Sequence, residues 1–485
     1  MNNVAKLFNK TNLIIFVFTV YIFFWDMFLT LNIKIDIRLI VFLLIFYLFD
    51  EILKDIKSKN FKFIQISIFI FLFIVGHSLL SDNHLNIKFF GSIIFLIYIF
   101  GIAYYFYDVI LENKYSIIYL FISLFLLSIL IHFFLNYSSN TEPVSCGALK
   151  NFFGGTNSFD KPIFIIHFIS SYSLIFNENS HLAMSGIAVI IFSIFILTSN
   201  NMNKKINFIL ILFIIICFLK SSATLLAGIF LSILCILIFE YKRLNKYFIF
   251  FSIALTLIIS FIFFQDKVCV NKFVSSTNND PQLFENLYDS MSDKSEIIKD
   301  LSDIQTQLEN ENENLNKQKL LKKKKDLEVK LKEFEIKKNS FRQEYRGSLS
   351  SDVFYHALKV TYNSMFVKPF GWGFQGYELA FNDYNKKNKI FRKPLEIFNN
   401  RDASNNTFKL ITEFGVLSLL LFCLLLYIFL SNKISTENKI FLIPFIVTQL
   451  IRGAGYFNGA FLLIIFVLIL AQLRDKNNLR NDKIH

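Results

Sequence analysis

None of the five cysteines stands in a CxxC or other metal-ligand spacing, so the chain carries no cysteine-based metal motif. It also lacks a Walker-type glycine loop, which argues against an ATP-driven pump. No small-residue cleavage site follows the first apolar segment, since Met1 to Lys10 leads straight into a stretch carrying Trp25 and Asp26. That segment is therefore expected to stay as an anchor. Soluble domains hold about 45–50% apolar residues, and this chain of 485 residues holds 54%, with 62 Phe and a positive mean hydropathy. One soluble core cannot bury so much apolar surface, and the composition points to a bilayer.

Apolar stretches near the spanning length of ~20 residues recur at 12–31, 36–53, 62–80, 87–106, 116–136, 181–198, 206–220, 222–239, 247–264, 407–430, 437–452 and 456–473. The expected fold is an all-α integral membrane bundle of twelve helices. Between its first nine and last three spans lies a hydrophilic block, 265–406, which divides the chain into a membrane bundle (1–264), a large loop (265–406) and C-terminal helices with a tail (407–485). The polar stretch at 162–180 reads as an interfacial or re-entrant element instead of a span.

Basic residues in the short loops set the orientation. With the N-terminus in the cytoplasm, Lys54, Lys57, Lys59, Lys62, Lys114, Lys204, Lys205, Lys242, Arg243, Lys246, Lys433, Lys439 and the tail from Arg474 all fall inside. Both termini are then cytoplasmic and the polar block is outside. The net charge of +13 is largely this bias together with a Lys-rich block, and it needs no nucleic-acid partner. Cys217, Cys235 and Cys423 lie within spans and read as small buried apolar residues. Cys146 and Cys269 fall in outside loops, where an oxidising compartment would permit a disulfide between them.

Inside the block, Ile298, Leu301, Ile304, Leu308, Leu320, Leu327, Leu331 and Phe334 recur at helical spacings amid dense Lys and Glu. Residues 295–345 thus read as a helical hairpin or short coiled coil, with the Asn-rich stretch Glu309 to Asn316 as its bend. Such an arm serves either as a solvated spacer or as a surface for a partner protein or glycan. The remainder, 345–406, changes in character. Three glycines interleave with Trp372, Phe374 and Tyr377, which describes a tight aromatic turn at the membrane surface. Two readings stay open for it: an interfacial anchor, or a face on which sugar rings stack.

In order, Arg346, the turn Pro369-Phe370-Gly371-Trp372-Gly373-Phe374, and the helix start running from Asn405-Asn406-Thr407-Phe408 to Glu413-Phe414-Gly415 resemble the O-antigen polymerase and ligase superfamily of bacterial surface-polysaccharide assembly. Phe176 to Met184, Lys220 to Leu226 and Arg452-Gly453-Ala454-Gly455-Tyr456-Phe457 look like further motifs of that family. The resemblance covers nearly the whole chain except the arm, which reads as an insertion. Ligases typically carry His-Asn where this chain has Asn405-Asn406, so the resemblance favours a polymerase and speaks against a histidine base at that position.

What the resemblance implies is glycosyl transfer between polyprenyl-diphosphate-linked glycans at the outer face of a bacterial inner membrane, with no nucleotide and no metal required. Membrane lipid is the other partner, and a chain-length regulator is a third. Arginines suit a departing diphosphate because the guanidinium offers two parallel donors to its oxygens. Candidates are Arg346 and Arg452 as catalytic groups, with Arg38 and Lys220 on the substrate; Arg342, Arg392 and Arg401 follow. Arg38 and Arg452 each abut an apolar run, where a charge is costly. Glu178 and His181, three apart, are the candidate general bases. Trp372, Asn405, Asn406, Glu413 and Tyr456 are expected at the substrate, Glu413 either there or holding an arginine in place. His77, His132 and Asp26 read as structural.

Other classes remain. A lipid-linked oligosaccharide flippase needs neither the large loop nor the glycine-aromatic turn. A polyprenyl-phosphate-sugar transferase usually carries an acidic pair in its first outside loop, and Leu31 to Asp36 offers only one Asp. A binding or scaffolding protein would use the arm as its working surface.

Overall fold

The computed structural model describes residues 9–24, 28–31, 33–81, 87–135, 179–199, 204–219, 223–265, 300–307, 319–330, 349–388, 400–453 and 455–473. The regular elements among them are helices, apart from one small hairpin. The first helices are α1 (Lys10–Phe23), α2 (Ile45–Lys57), α3 (Lys62–Leu80), α4 (Ile87–Glu112) and α5 (Lys114–Leu135). Next come α6 (Asn179–Thr198), α7 (Lys204–Leu219), α8 (Ala223–Glu240) and α9 (Lys246–Gln265). Beyond the arm follow α10 (Leu349–Val367), α11 (Tyr377–Lys387), α12 (Asn406–Phe414), α13 (Leu417–Leu430), α14 (Thr436–Ile451) and α15 (Phe461–Leu473).

The hairpin pairs β1 (Phe28–Leu31) with β2 (Ile33–Asp36) in antiparallel register, Phe28 opposite Asp36. An all-helical reading overlooks it because it is short. Its cue is the alternation Ile33-Lys34-Ile35-Asp36, a period of two, after the turn-favouring Asn32. A 3₁₀ segment, Ile37–Leu44, then leads into α2.

Among the described residues three helices are long and apolar enough to cross a membrane: Lys62–Leu80, Ile87–Glu112 and Thr224–Arg243. Shorter apolar helices accompany them, including Lys10–Phe23, Leu417–Leu430 and Asn458–Leu473. Phe46, Phe69, Leu72, Phe208 and Phe250 stand with most of their surface open on these helices, as suits a protein surrounded by hydrocarbon. The stretch expected as one span over 407–430 is broken at Gly415 into α12 and α13. Cys217 is buried and Cys235 half-buried, but Cys423 is exposed on α13, against the expectation that all three are buried.

The chain forms two compact units. The first comprises Met1–Asp266, Ala357–Tyr384 and Asn399–His485, and the second Lys267–His356 and Asn385–Phe398. Residues 357–384 and 399–406 of the expected large loop thus belong to the first unit. Its centre is α14, buried from Lys439 to Gln449 and packed on α6, α8 and α15. In the second unit, residues 300–307 and 319–330 are helical and lie side by side. Ile304 and Leu327 are buried, and Lys324 Nζ donates to Gln305 Oε1 at 2.9 Å. The bend Glu309 to Asn316 lies outside the described residues, as do Cys146, Cys269, Asp26 and the segment 162–178.

The start of α14 is tied to the end of α8 by a fully buried ion pair between Lys439 Nζ and Glu240 Oε1. Thr436 Oγ1 donates to the other Glu240 oxygen at 2.6 Å, and Lys439 also donates to the Phe429 carbonyl at 2.7 Å. Beside them Lys114 pairs with Glu437 at 2.9 Å. Removing one member of a buried pair leaves the other charge uncompensated, which costs about 3–5 kcal/mol. Lys439→Met is therefore expected to lower the thermal midpoint in detergent sharply, and the double variant Lys439→Met with Glu240→Gln to regain most of the loss. A double variant no more stable than the single one would contradict this account.

Candidate functional site

The site is built on α12. Asn405 caps its N-terminus, with extended backbone and the side-chain oxygen accepting from Phe408 N at 2.7 Å. At the other end Gly415 takes a φ of 54° and turns the chain into α13. A Cβ on Gly415 would stand 1.9 Å from the Pro369 carbonyl oxygen, so only glycine permits this approach. The glycine-aromatic turn lies along this end: Trp372 N donates to Thr412 O at 3.0 Å, Gly373 N to Glu413 O at 2.9 Å, and Val416 N returns to Pro369 O at 2.9 Å.

The end of α3 holds the turn from behind. His77 Nε2 bonds the Phe370 carbonyl at 2.7 Å, which assigns the ring proton to Nε2, and the ring stacks on Phe414. Lys368 reaches the Ser81 carbonyl, and Phe374 N donates to Ser78 Oγ at 3.2 Å. On the remaining side runs the connection after α14. Thr407 Oγ1 donates to Leu450 O at 2.7 Å, Asn406 Nδ2 to Gln449 Oε1 at 3.3 Å, and the Tyr456 ring stacks on Phe374 with centroids 5.7 Å apart.

Glu413 stands where these three segments meet. Its carboxylate is fully buried and accepts from Gln375 N at 3.0 Å and Tyr377 N at 3.3 Å. Lys409 Nζ lies 3.9 Å from it, one helical turn earlier. The Tyr456 hydroxyl faces the same carboxylate, close enough to interact although outside hydrogen-bond geometry. Several buried polar atoms of the site have no hydrogen-bond partner among the described residues: Asn406 Oδ1, Trp372 Nε1, His77 Nδ1 and the hydroxyls of Tyr377 and Tyr456.

Backbone strain gathers here as well. Among the described residues five that are not glycine have positive φ. Gln375, Ala403 and Ser404 belong to this joint, and Ala460 closes the connection after α14. Left-handed backbone at such residues costs about 1–3 kcal/mol each and persists only where the surroundings enforce it.

Comparison with family profiles, with curated proteins and with solved structures finds no match. The assignment of roles therefore rests on the geometry.

Arg452 ends α14 half-buried, its backbone N–H bonded to Thr448 O at 2.8 Å; among the described residues its guanidinium has no ion-pair or hydrogen-bond partner. Among the described residues the cation next to Glu413, considered above as a holder of an arginine, is Lys409, because α12 places that lysine on the same face. Trp372 is not an open sugar platform. Its ring packs inward with Tyr377 and Phe381 under the Lys368 ammonium, 4.7 Å away, and the ring left open in this turn is that of Phe370. Asn405 is occupied as a cap, and Tyr456 is buried against Lys409 and Phe374.

Arg346, Glu178 and Lys220 lie outside the described residues, and the same holds for the side chains of His181, Arg38 and His132. Arg401 pairs with Glu378 at 3.1 Å on the surface. Sequence reasoning overlooked Lys409, Gln375 and Gln449. For Lys409 the available cue was its i,i+4 spacing to Glu413.

At Gly76, in contrast to Gly415, an added Cβ meets nothing within 4 Å. Gly415→Ala is expected to lower the thermal midpoint strongly and Gly76→Ala to leave it unchanged or raise it. Equal effects in a thermal melt of the purified protein would contradict the backbone approach described here.

Proposed function

We propose that the chain is a polysaccharide polymerase of the bacterial inner membrane. It joins polyprenyl-diphosphate-linked oligosaccharide repeat units into O-antigen or a related surface glycan on the extracytoplasmic face. The observation that carries this reading is the convergence of the turn 369–377, the helix start 405–415 and Tyr456 around one buried carboxylate, with the half-buried Arg452, which has no side-chain partner among the described residues, four positions before that tyrosine. The first two carry the resemblance together with Arg346, and Tyr456 belongs to one of its further motifs.

The topology behind this reading is twelve spans with both termini inside. Hydrogen bonds and ion pairs between elements support it, because each joins ends that such a topology puts on one side. Lys10 with Glu51, Lys114 with Glu437 and Lys439 with Glu240 fall inside. Tyr21 with Phe457, Ser185 with Phe23 and His77 with Phe370 fall outside.

In the proposed reaction a hydroxyl of the acceptor glycan attacks the anomeric carbon of the donor. The bond from that carbon to the diphosphate breaks, and the hydroxyl proton passes to a base, for which Glu178 and His181 are the candidates. Arg452, with Arg346, supplies the charge that stabilises the departing diphosphate. Among the described residues no carboxylate pairs with the Arg452 guanidinium, and the cation beside Glu413 is Lys409. Glu413 holds the site together and does not itself reach substrate, being closed off from solvent.

A glycan ladder from a deletion strain tests the assignment. A polymerase leaves one repeat unit on lipid A core, a ligase leaves chains on the lipid carrier, and a flippase traps the repeat inside. Arg452→Ala and Arg346→Ala are each expected to keep the protein in the membrane and reduce the ladder to single repeats. Normal long chains in both would refute the proposal.

A further inference from the structure

Lys409 has more contacts than a partner for Glu413 needs. Its side chain is 3% exposed, and the ammonium donates to the Arg401 carbonyl at 2.6 Å and to Gln375 Oε1 at 3.5 Å. Asp402 Oδ1 lies at 3.8 Å and Glu413 Oε1 at 3.9 Å. The face of the Tyr456 ring completes the cage, its centroid 5.0 Å away. Gly455 makes this closure possible: with φ at 96° it brings the chain so near that a Cβ would stand 2.7 Å from Asp402 Oδ1. The lysine thus places a tethered cation among oxygens from three separate stretches of chain.

Arg452 sits between two attachments of its loop. On the α14 side the chain is bonded to α12 through Thr407 with Leu450 and Asn406 with Gln449. On the other side the attachment is Tyr456, held by Phe374 and by the Lys409 ammonium. We propose that Lys409 is a positioning residue: its ammonium pins Gly455 and Tyr456 to α12 and so fixes where the Arg452 guanidinium stands toward an anionic group of the substrate. This rests on the function proposed above in taking that group to be the diphosphate of the lipid-linked donor.

The test uses the full-length protein in lipid nanodiscs and two readouts. Phenylglyoxal modification of Arg452, followed by mass spectrometry, reports the position of the guanidinium without any assay of activity. Lys409→Met is expected to change its rate severalfold, and Lys409→Arg, which keeps the cation, to restore it. Because Lys409→Met orphans the Glu413 carboxylate, the double variant Lys409→Met with Glu413→Gln is measured too, and the altered rate is expected to persist there. An unchanged rate in a folded Lys409→Met overturns the proposal, and so does a normal rate in the double variant, which would trace the effect to the orphaned carboxylate.

The second readout is polymerisation of lipid-linked repeats. A misplacement near 1 Å costs about 100-fold, and the loss in Lys409→Met is expected in kcat with little change in KM. A loss confined to KM overturns the proposal. Absence of polymerisation by the wild-type protein would defeat the functional reading, and the Arg452 rates would then still decide the positioning role.

Discussion

A carboxylate removed entirely from water governs the first unit. An ion of that size carries an effective desolvation penalty of several kcal/mol unless its surroundings return hydrogen bonds and charge. For Glu413 they come from two backbone N–H groups of the 369–377 turn and from the ammonium of Lys409 on its own helix. Neither source is local to the other. The turn can present Gln375 N and Tyr377 N only if its glycines let it lie against α12, and Gln375 must take a left-handed φ of 59° to do so. The strain in that turn and the burial of that carboxylate are two sides of one constraint.

Parts of this were legible beforehand because they rest on residue types with few other uses. Glycines set between aromatic rings mark close backbone approach, and Asn405-Asn406 before an apolar run marks a helix start. Both signals lead to the same joint in the structure. What the sequence concealed depended on direction. Trp372 and Phe370 are two residues apart in an irregular turn, where no periodicity tells which ring turns inward, and it is Trp372 that is buried while Phe370 stays open. The break at Gly415 was hidden because hydropathy runs on across it from Ile411 to Leu430, and only the left-handed φ reveals that two helices meet there.

Charged residues were the hardest to place. Lys439 reads as an inside-loop cation and nothing in the sequence singles out Glu240 or the burial of Lys409, yet each is buried, because a partner from another segment meets it. Spacing on one helix could reveal only the Lys409–Glu413 half of this network; Glu240 and Lys439 lie on α8 and α14, whose meeting is a property of the packed bundle. A hydropathy profile assigns such residues to the ends of spans, and it cannot distinguish a lysine that faces water from one that neutralises a buried carboxylate.

The two networks lie at opposite ends of α14, and that arrangement bears on how firmly Arg452 is held. Its start is fixed by Lys439 and Thr436 to Glu240, and its end by Gln449 and Leu450 to α12. Between them Pro444 removes one backbone donor, which would ordinarily favour a kink. Thr448 Oγ1 donates back to the Pro444 carbonyl at 2.6 Å, and every residue from Lys439 to Gln449 is buried, so the weakened turn is enclosed by packing on all sides. A helix clamped at both ends and enclosed between them has little freedom to tilt or rotate. Beyond Arg452 the chain is held again at Tyr456, whose ring lies against Phe374 and the Lys409 ammonium.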